Sequence, residues 1–516
     1  MEWALAVDLG TSGPKVGLVG SDGRVLGGVS EPTELHLLPD GGCEQDPDDW
    51  WRAVAAAATR VTRRHPAEAS RVVAIGVTAQ WSGTVPVGAD LRPLQRAVIW
   101  LDHRGASQVR RLIRGPVSFS GYGIGKLIRW VRLTGGAPGK SGKDSIAHIL
   151  WLREARPEVF SATRVFLEPK DYLNLVLTGR AAATFDSIAL HWLTDNRRPD
   201  AVAYHKGLLR LAGLDRARLP ELVRATDVVG PLLPGPAREL GVPAGIPVIG
   251  GTPDMQSAGV GAGAVADFAA HLYVGTSSWL MCHVPFKKTD LLRNMASLPS
   301  PVPGRYFLTD EQETAGACLD QLARFLHPGV DHAAALALLN EAASRAPAGA
   351  RGLIFTPWLN GERTPVEDSS LRGGFFNQSL DTTRDEMVRA VFEGVALNAR
   401  WLLEAVERFT KRRMEPITVA GGGAQSSLWC QIYADVLRRT VRRAADPIQV
   451  NTRGAGLLAL AALGHVRFDE LEALVPTAGT FLPNAEVAAV YDSAYAAFRR
   501  IHRANRRLYA HLNPAA

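Results

Sequence analysis

Two short segments far apart in the chain share one pattern, and no other feature of the sequence constrains the fold as strongly. Asp8-Leu9-Gly10-Thr11-Ser12-Gly13 ends an apolar run that begins at Ala4, and Val274-Gly275-Thr276-Ser277-Ser278 ends another that begins at Ala270. Each reads as a buried strand entering a tight turn. A repeated strand–turn–strand hairpin predicts a duplicated α/β domain with a cleft between the copies. The length of 516 residues agrees, because a single hydrophobic core stops growing well below that size.

The flanking sequence fills in each copy. Ala4–Leu9, Val16–Val19 and Val25–Val29 read as a small antiparallel sheet, with Ser21-Asp22-Gly23 turning between the last two. Asp46-Pro47 opens a helix, with Asp48 and Asp49 at its positive end and Trp50, Trp51, Val54, Ala58 and Val61 on its apolar stripe. Val72–Thr78 and Pro247–Gly251 read as buried strands, and the Pro- and Gly-rich stretch Pro231–Pro247 as a connector. In the second half, Thr383 followed by Glu386 caps a long helix to about Phe409, with Val388, Phe392, Val395, Leu402 and Val406 on one face. Ile417–Ala420 is a strand running into Gly421-Gly422-Gly423, after which Ser426 or Ser427 caps another helix. These elements predict one domain over residues 1–250 and a second over 251–516, with a helical tail from about 465.

Composition excludes several classes. With 46% hydrophobic and 21% charged residues the chain has enough apolar material to offset chain entropy, so disorder is excluded as a global state. The most apolar stretch, Ala455–Gly464, is about half the ~20 residues a membrane span needs, and the N-terminus has no basic region of a signal peptide. Cys43, Cys282, Cys318 and Cys430 lack CxxC spacing, which fits reduced thiols in a cytoplasm. The net charge of +7 is mostly arginine; it suits anionic ligands such as nucleotides, or simply a solvated basic surface. No basic cluster carries interleaved aromatics, so nucleic acid is not expected as a partner.

A Gly-Thr-Ser turn after a strand directs backbone N–H groups and two hydroxyls toward one point, which suits a phosphate. Asp8 at the strand end is then placed to hold Mg2+, a hard cation that takes carboxylate and water oxygens; a plain turn aspartate is the alternative. There is no GxxxxGK[ST] motif, so the chain is not a P-loop protein.

Eight segments in order carry a resemblance. They are Asp8–Lys15, Glu44–Trp51, Ile99–Arg104, Leu167–Tyr172, Gly250–Asp254, Val274–Ser278, Leu359–Pro365 and Gly421–Gln425. Together they resemble the FGGY carbohydrate kinases of the actin-like ATPase superfamily, most of all the xylulokinase group. The resemblance implies two ribonuclease-H-like domains, with ATP and a sugar or polyol meeting in the cleft between them. It makes Asp254 the general base, where an N-cap aspartate is the bland alternative. It assigns Gly10, Thr11, Ser12, Gly275 and Thr276 to phosphate, Gly421, Gly422, Gly423 and Gln425 to the nucleotide, and Asp8 to Mg2+. Lys15 reaches a phosphate or is an exposed strand lysine. Gln80, Trp81, Ser82, Asp102, Arg104 and Met255, with Asp254, fall on the sugar side. Phosphoryl transfer needs little more than this from a protein: positioning, a base, a metal and charge stabilisation. A non-catalytic actin-like nucleotide-binding regulator is the alternative function. A homodimer is left open.

The sugar side departs from the family. Xylulokinases typically carry Gln-Met-His-Gly where this chain has Gln80-Trp81-Ser82-Gly83, Met255 replaces a polar residue after the base, and His148 replaces a lysine ahead of Trp151. The glycine-rich, basic stretch Gly121–Lys143 reads as a mobile loop. A bulkier, less polar pocket is expected to disfavour D-xylulose relative to a deoxy or differently configured sugar or polyol.

Overall fold

A computed structural model describes residues 1–513. The first sheet has seven strands, in the order Val228–Pro231, Pro247–Ile249, Val72–Ala79, Trp3–Gly10, Gly13–Gly20 and Val25–Ser30, with Thr252–Pro253 also pairing on Val72–Ala79. Trp3–Gly10 runs antiparallel to Gly13–Gly20 and parallel to Val72–Ala79. The antiparallel strands foreseen at the N-terminus are therefore one side of a mixed sheet rather than a sheet of their own. The second sheet has eight strands and repeats this core: Ala270–Val274 is antiparallel to Ser278–Val284 and parallel to Ile417–Ala420.

Strand alternation separates two faces of Trp3–Gly10. Trp3, Leu5, Val7 and Leu9 pack with Trp50, Val54, Ala57, Ala58 and Val61 of the helix Pro47–Arg64. Asp46 caps that helix by accepting from the Asp48 N–H, as its sequence predicts. The small residues Ala4 and Ala6 face the other way, onto Leu457, Leu458 and Ala459 of the helix Val450–Ala462. That helix comes from the far end of the chain yet covers the first sheet, and it crosses the helix Asp254–Gly261 at very close range. A methyl group at Gly454 would lie 1.9 Å from the Ser257 carbonyl oxygen, and one at Gly261 would lie 1.8 Å from that of Val450. Only glycine allows this approach.

The long helix Arg384–Thr410 carries the predicted capping box between Thr383 and Glu386, and Val388, Phe392, Val395, Leu402 and Val406 are all buried.

Three expectations need correction. Pro231–Pro247 is no interdomain connector: the short helix Pro234–Leu240 links the edge strand Val228–Pro231 to its antiparallel neighbour Pro247–Ile249 in the first sheet and buries Ala237 and Leu240. Gly121–Lys143 holds a helix, Ile124–Thr134, because Leu127, Trp130, Leu133 and Thr134 recur at helical spacing and are buried. The segment after 465 holds an edge strand of the second sheet, Thr477–Phe481, before its helix Ala488–Leu512. That strand is mostly exposed, so it carries little hydrophobic alternation to read.

Gly454→Ala is expected to lower the unfolding temperature through overpacking worth about 1–3 kcal/mol. Differential scanning calorimetry checks this, and an unchanged transition would mean that the two helices separate freely.

Candidate active site

Asp8 ends the small-residue face of its strand, so its carboxylate points into the space between the two sheets' helices. Its neighbours across the ladders are Lys15 and Thr78. Oδ2 lies 3.7 Å from the Lys15 Nζ, while Oδ1 is buried with no protein partner. Burial raises its pKa, opposed by Lys15 and by a hydrogen bond from Asn451 at the start of the crossing helix. An orphaned carboxylate oxygen in a polar cleft fits a divalent cation. Among the described residues no three carboxylates, histidines or cysteines gather at one point, so a cation there would take its other oxygens from phosphate and water.

Asp254 stands at the first position of its helix, and its Oδ1 accepts the Met255 N–H at 2.9 Å. The chain reaches it through a bend at Gly251, whose φ of +71° and whose approach to Val77 O exclude a side chain. Lys170 and Asn174 both donate to Gly250 O at 2.8 Å, and Thr252 Oγ1 donates to Asp186. These buried bonds fix the approach to Asp254. Burial, then the charge of Asp8, then Glu311, push the Asp254 pKa up to about 7.

The second turn and the glycine loop meet directly. A methyl group at Gly421 (φ +87°) would come 2.6 Å from Val274 O, and one at Gly423 would come 2.5 Å from the Val274 side chain. Gly422, Gln425 and Thr276 are exposed, and Gln425 donates to Gly422 O at 3.3 Å. Gly275 and Thr276 carbonyls accept from Gly316, Ala315 and Ala317, which locks the turn against the following helix. In the first turn, Gly13 (φ +130°) closes the hairpin and Ser12 is exposed, with Gly10 half-buried at the strand end. The Thr11 hydroxyl is engaged: it accepts from Trp100 Nε1 and donates to Gln80 Oε1, both at 2.9 Å.

Several sugar-side residues are turned inward. Gln80 is buried between Thr11 and Gln45. Trp81 donates to Ser187 O at 2.9 Å, and Ser82, in the left-handed region at φ 65°, donates to Lys143 O at 2.7 Å. Asp102 is 1% exposed and accepts from the Cys43 N–H and from the Arg104 N–H and Nε, while Arg104 also pairs with Glu44 and stacks on Trp151. Asp102 and Arg104 thus tie the segments around Cys43, Glu44 and Trp151 together. Met255 leans on the apolar cluster of Ala258, Trp279, Met281 and Phe307. His148 is buried, with its pKa pushed down to about 4 by desolvation, and its Nδ1 is 3.3 Å from Thr84 Oγ1.

Sequence reasoning left out four cleft residues. Arg363 bridges Glu311 and Glu313 on the second domain, and Lys143 approaches from the first. Only Arg363 lay in a recognised segment, Leu359–Pro365, without a role.

Two duplicated mixed sheets enclosing a cleft with two carboxylates, glycine-lined turns and a buried helix crossing define an actin-like kinase fold. The chain belongs to the FGGY family of carbohydrate kinases: residues 3–261 match its N-terminal domain and residues 270–463 its C-terminal domain. It is 29% identical to the xylulose kinase of Staphylococcus epidermidis over 99% of this chain and 98% of that protein. It is 29% identical to the Escherichia coli xylulose kinase over 97% and 98% of the two chains. The crystal structure of ligand-bound xylulose kinase from Lactobacillus acidophilus shares its fold, with a TM-score of 0.86 at 24% identity over 99% and 100% of the chains. The protein is an ATP-dependent sugar kinase. No helix among the described residues is long and apolar enough to cross a membrane.

The folded pKa of Asp254 lies above its unfolded value of 3.8, so the neutral acid is the form the fold favours. Ionisation therefore costs stability progressively as pH rises from about 4 to about 7, and the cost is complete above that. Asp254→Asn is expected to raise the unfolding temperature of the metal-free protein at pH 8 and to leave it unchanged near pH 4. Paired thermal melts at the two pH values check this, and equal shifts at both would place the raised pKa elsewhere.

Proposed function

We propose that this kinase transfers the γ-phosphoryl group of ATP to a hydroxyl of a ketopentose such as xylulose, or a related sugar or polyol, with Asp254 as general base. The observation that carries the reading is the pair Asp8 and Asp254: two carboxylates in one buried cleft, the second with a pKa of about 7. A base poised near the working pH accepts a hydroxyl proton most efficiently. Thr276, Gly275 and the first turn supply donors to phosphate oxygens, and Lys15, on the strand beside Asp8, adds a positive charge there. Gly421, Gly422 and Gly423 leave the surface open for the nucleotide base. Asp8 Oδ1 is the residue atom that would hold Mg2+, which would supply charge neutralisation to the transferred phosphate.

Because Asp254 must be ionised to accept the proton, kcat/KM is expected to rise with pH through about 7 and then level off. Asp254→Asn should lower kcat by roughly 10²–10⁴ while nucleotide binding persists. A coupled ADP-release assay across a panel of ketoses, polyols and sugar acids tests the reading, and turnover of none of them by the native enzyme would overturn it. Asp8→Ala should abolish the Mg2+ dependence of turnover; a titration matching the parent's would remove Asp8 from the metal site.

Within that panel D-xylulose is expected not to be preferred. The Ser82 hydroxyl that stands where xylulokinases carry an imidazole is spent on Lys143 O, and Met255 offers no hydrogen bond. A kcat/KM for D-xylulose well above every other compound would refute this.

A further inference from the structure

The side chains at positions 80–82 are committed to protein partners, so the acceptor must be recognised by other groups. Gln80 is held by Thr11 and Gln45, Trp81 by Ser187, and Ser82 by the Lys143 carbonyl. One cation in the same place has no such commitment. The Lys143 Nζ makes no hydrogen bond and no ion pair within 4.0 Å to any described residue, although its side chain is half-buried. It lies 6.0 Å from the ring centre of Trp100, whose indole N–H is bound to Thr11 in the first phosphate turn. Across the cleft it faces Glu311, Glu313 and Arg363 of the second domain, and Glu311 also acts on Asp254. The ammonium therefore stands near Trp100, which is bonded to the first turn, and shares the Glu311 carboxylate as a charged neighbour with Asp254.

We propose that Lys143 is a specificity-determining residue that donates from Nζ to a hydroxyl or carbonyl oxygen of a neutral polyhydroxylated acceptor. The proposal rests on the kinase reading given above and names the chemistry of its acceptor. The preference for a neutral acceptor follows from charge. Lys143 and Arg363 are balanced by Glu311 and Glu313, and Lys15 balances Asp8, so these six groups sum to zero and the ionised Asp254 is left as a negative charge that repels a sugar carboxylate. Ser82 serves as a positioning residue here, because its bond to the Lys143 carbonyl fixes the backbone from which the ammonium projects.

The test uses the full-length enzyme, with the best neutral sugar from the panel as probe. Lys143→Met is expected to weaken sugar binding, measured by tryptophan fluorescence, about tenfold to a hundredfold, and to raise KM for the sugar alike. KM for ATP and sugar-independent ATP hydrolysis should not change, and Lys143→Arg should recover most of the loss. Since Nζ has no protein partner, its removal breaks no bond of the fold; Lys143→Gln, which is neutral and one atom too short to place a donor where Nζ stands, is the second variant if the methionine form melts early. The native enzyme should also prefer neutral sugars to sugar acids of the same length. Unchanged sugar affinity in both variants overturns the proposal while leaving the kinase reading intact. A loss of kcat and of sugar-independent hydrolysis at unchanged sugar affinity would assign Lys143 to the phosphoryl group instead, and preference for a sugar acid would overturn the charge argument.

Discussion

The site depends on one helix crossing. Asp254–Gly261 and Val450–Ala462 approach so closely that Gly454 and Gly261 have backbone carbonyls where a side chain would stand. That contact sets the N-termini of both helices beside the end of the strand Trp3–Gly10. One helix contributes Asp254, the other Asn451, and the strand Asp8. Gly76 and Gly456 let the crossing helix settle on the first sheet: methyl groups there would come 2.1 Å from Ala455 O and 2.3 Å from Val19. The two carboxylates are thereby positioned by backbone contacts, which tolerate little drift.

Such positioning has an electrostatic cost. A helix N-terminus stabilises a carboxylate by roughly 1 kcal/mol. The rise of Asp254 from 3.8 to about 7 corresponds to roughly 4 kcal/mol in the other direction. Burial and the proximity of Asp8 thus outweigh the helix dipole. A solvated aspartate would be ionised at neutral pH but too weak a base to take a hydroxyl proton efficiently; the buried one keeps both properties in reach.

The fold was largely legible because its signals are local and periodic. Strand–turn hairpins, the Asp46-Pro47 start and the Thr383/Glu386 box each announce themselves within a few residues. What escaped depends on distant partners. Nothing near Val450 says that its helix belongs on the first sheet, since the evidence is the fit of Gly454 against Ser257, almost two hundred residues away in sequence. The helix Ile124–Thr134 was obscured by the glycines around it. Its end is held from the other domain, where Lys287 Nζ donates to Val131 O and Arg132 O at 2.7 and 2.9 Å and Thr289 to Gly135 O.

The same distinction separates the two halves of the site. The two turns and the glycine loop are shaped by backbone, so the requirement falls on residue type: glycine at 421, 423 and 13 is needed because other atoms stand where a side chain would, and a sequence displays it. The proposed acceptor side is built from side chains, and the direction of a side chain is decided by competing partners. Gln80 and Asp102 have the right chemistry for a sugar, but each finds a buried partner first, because an unpaired polar group in the interior costs more than a contact with ligand returns. Lys143 has no motif to mark it, yet it is left unpaired beside the cleft by the same competition, since Glu311 and Glu313 are already held by Arg363. Under the proposed reading, acceptor specificity falls to the polar groups that the fold leaves over, and that remainder becomes visible only when the hydrogen bonds of the folded chain are counted.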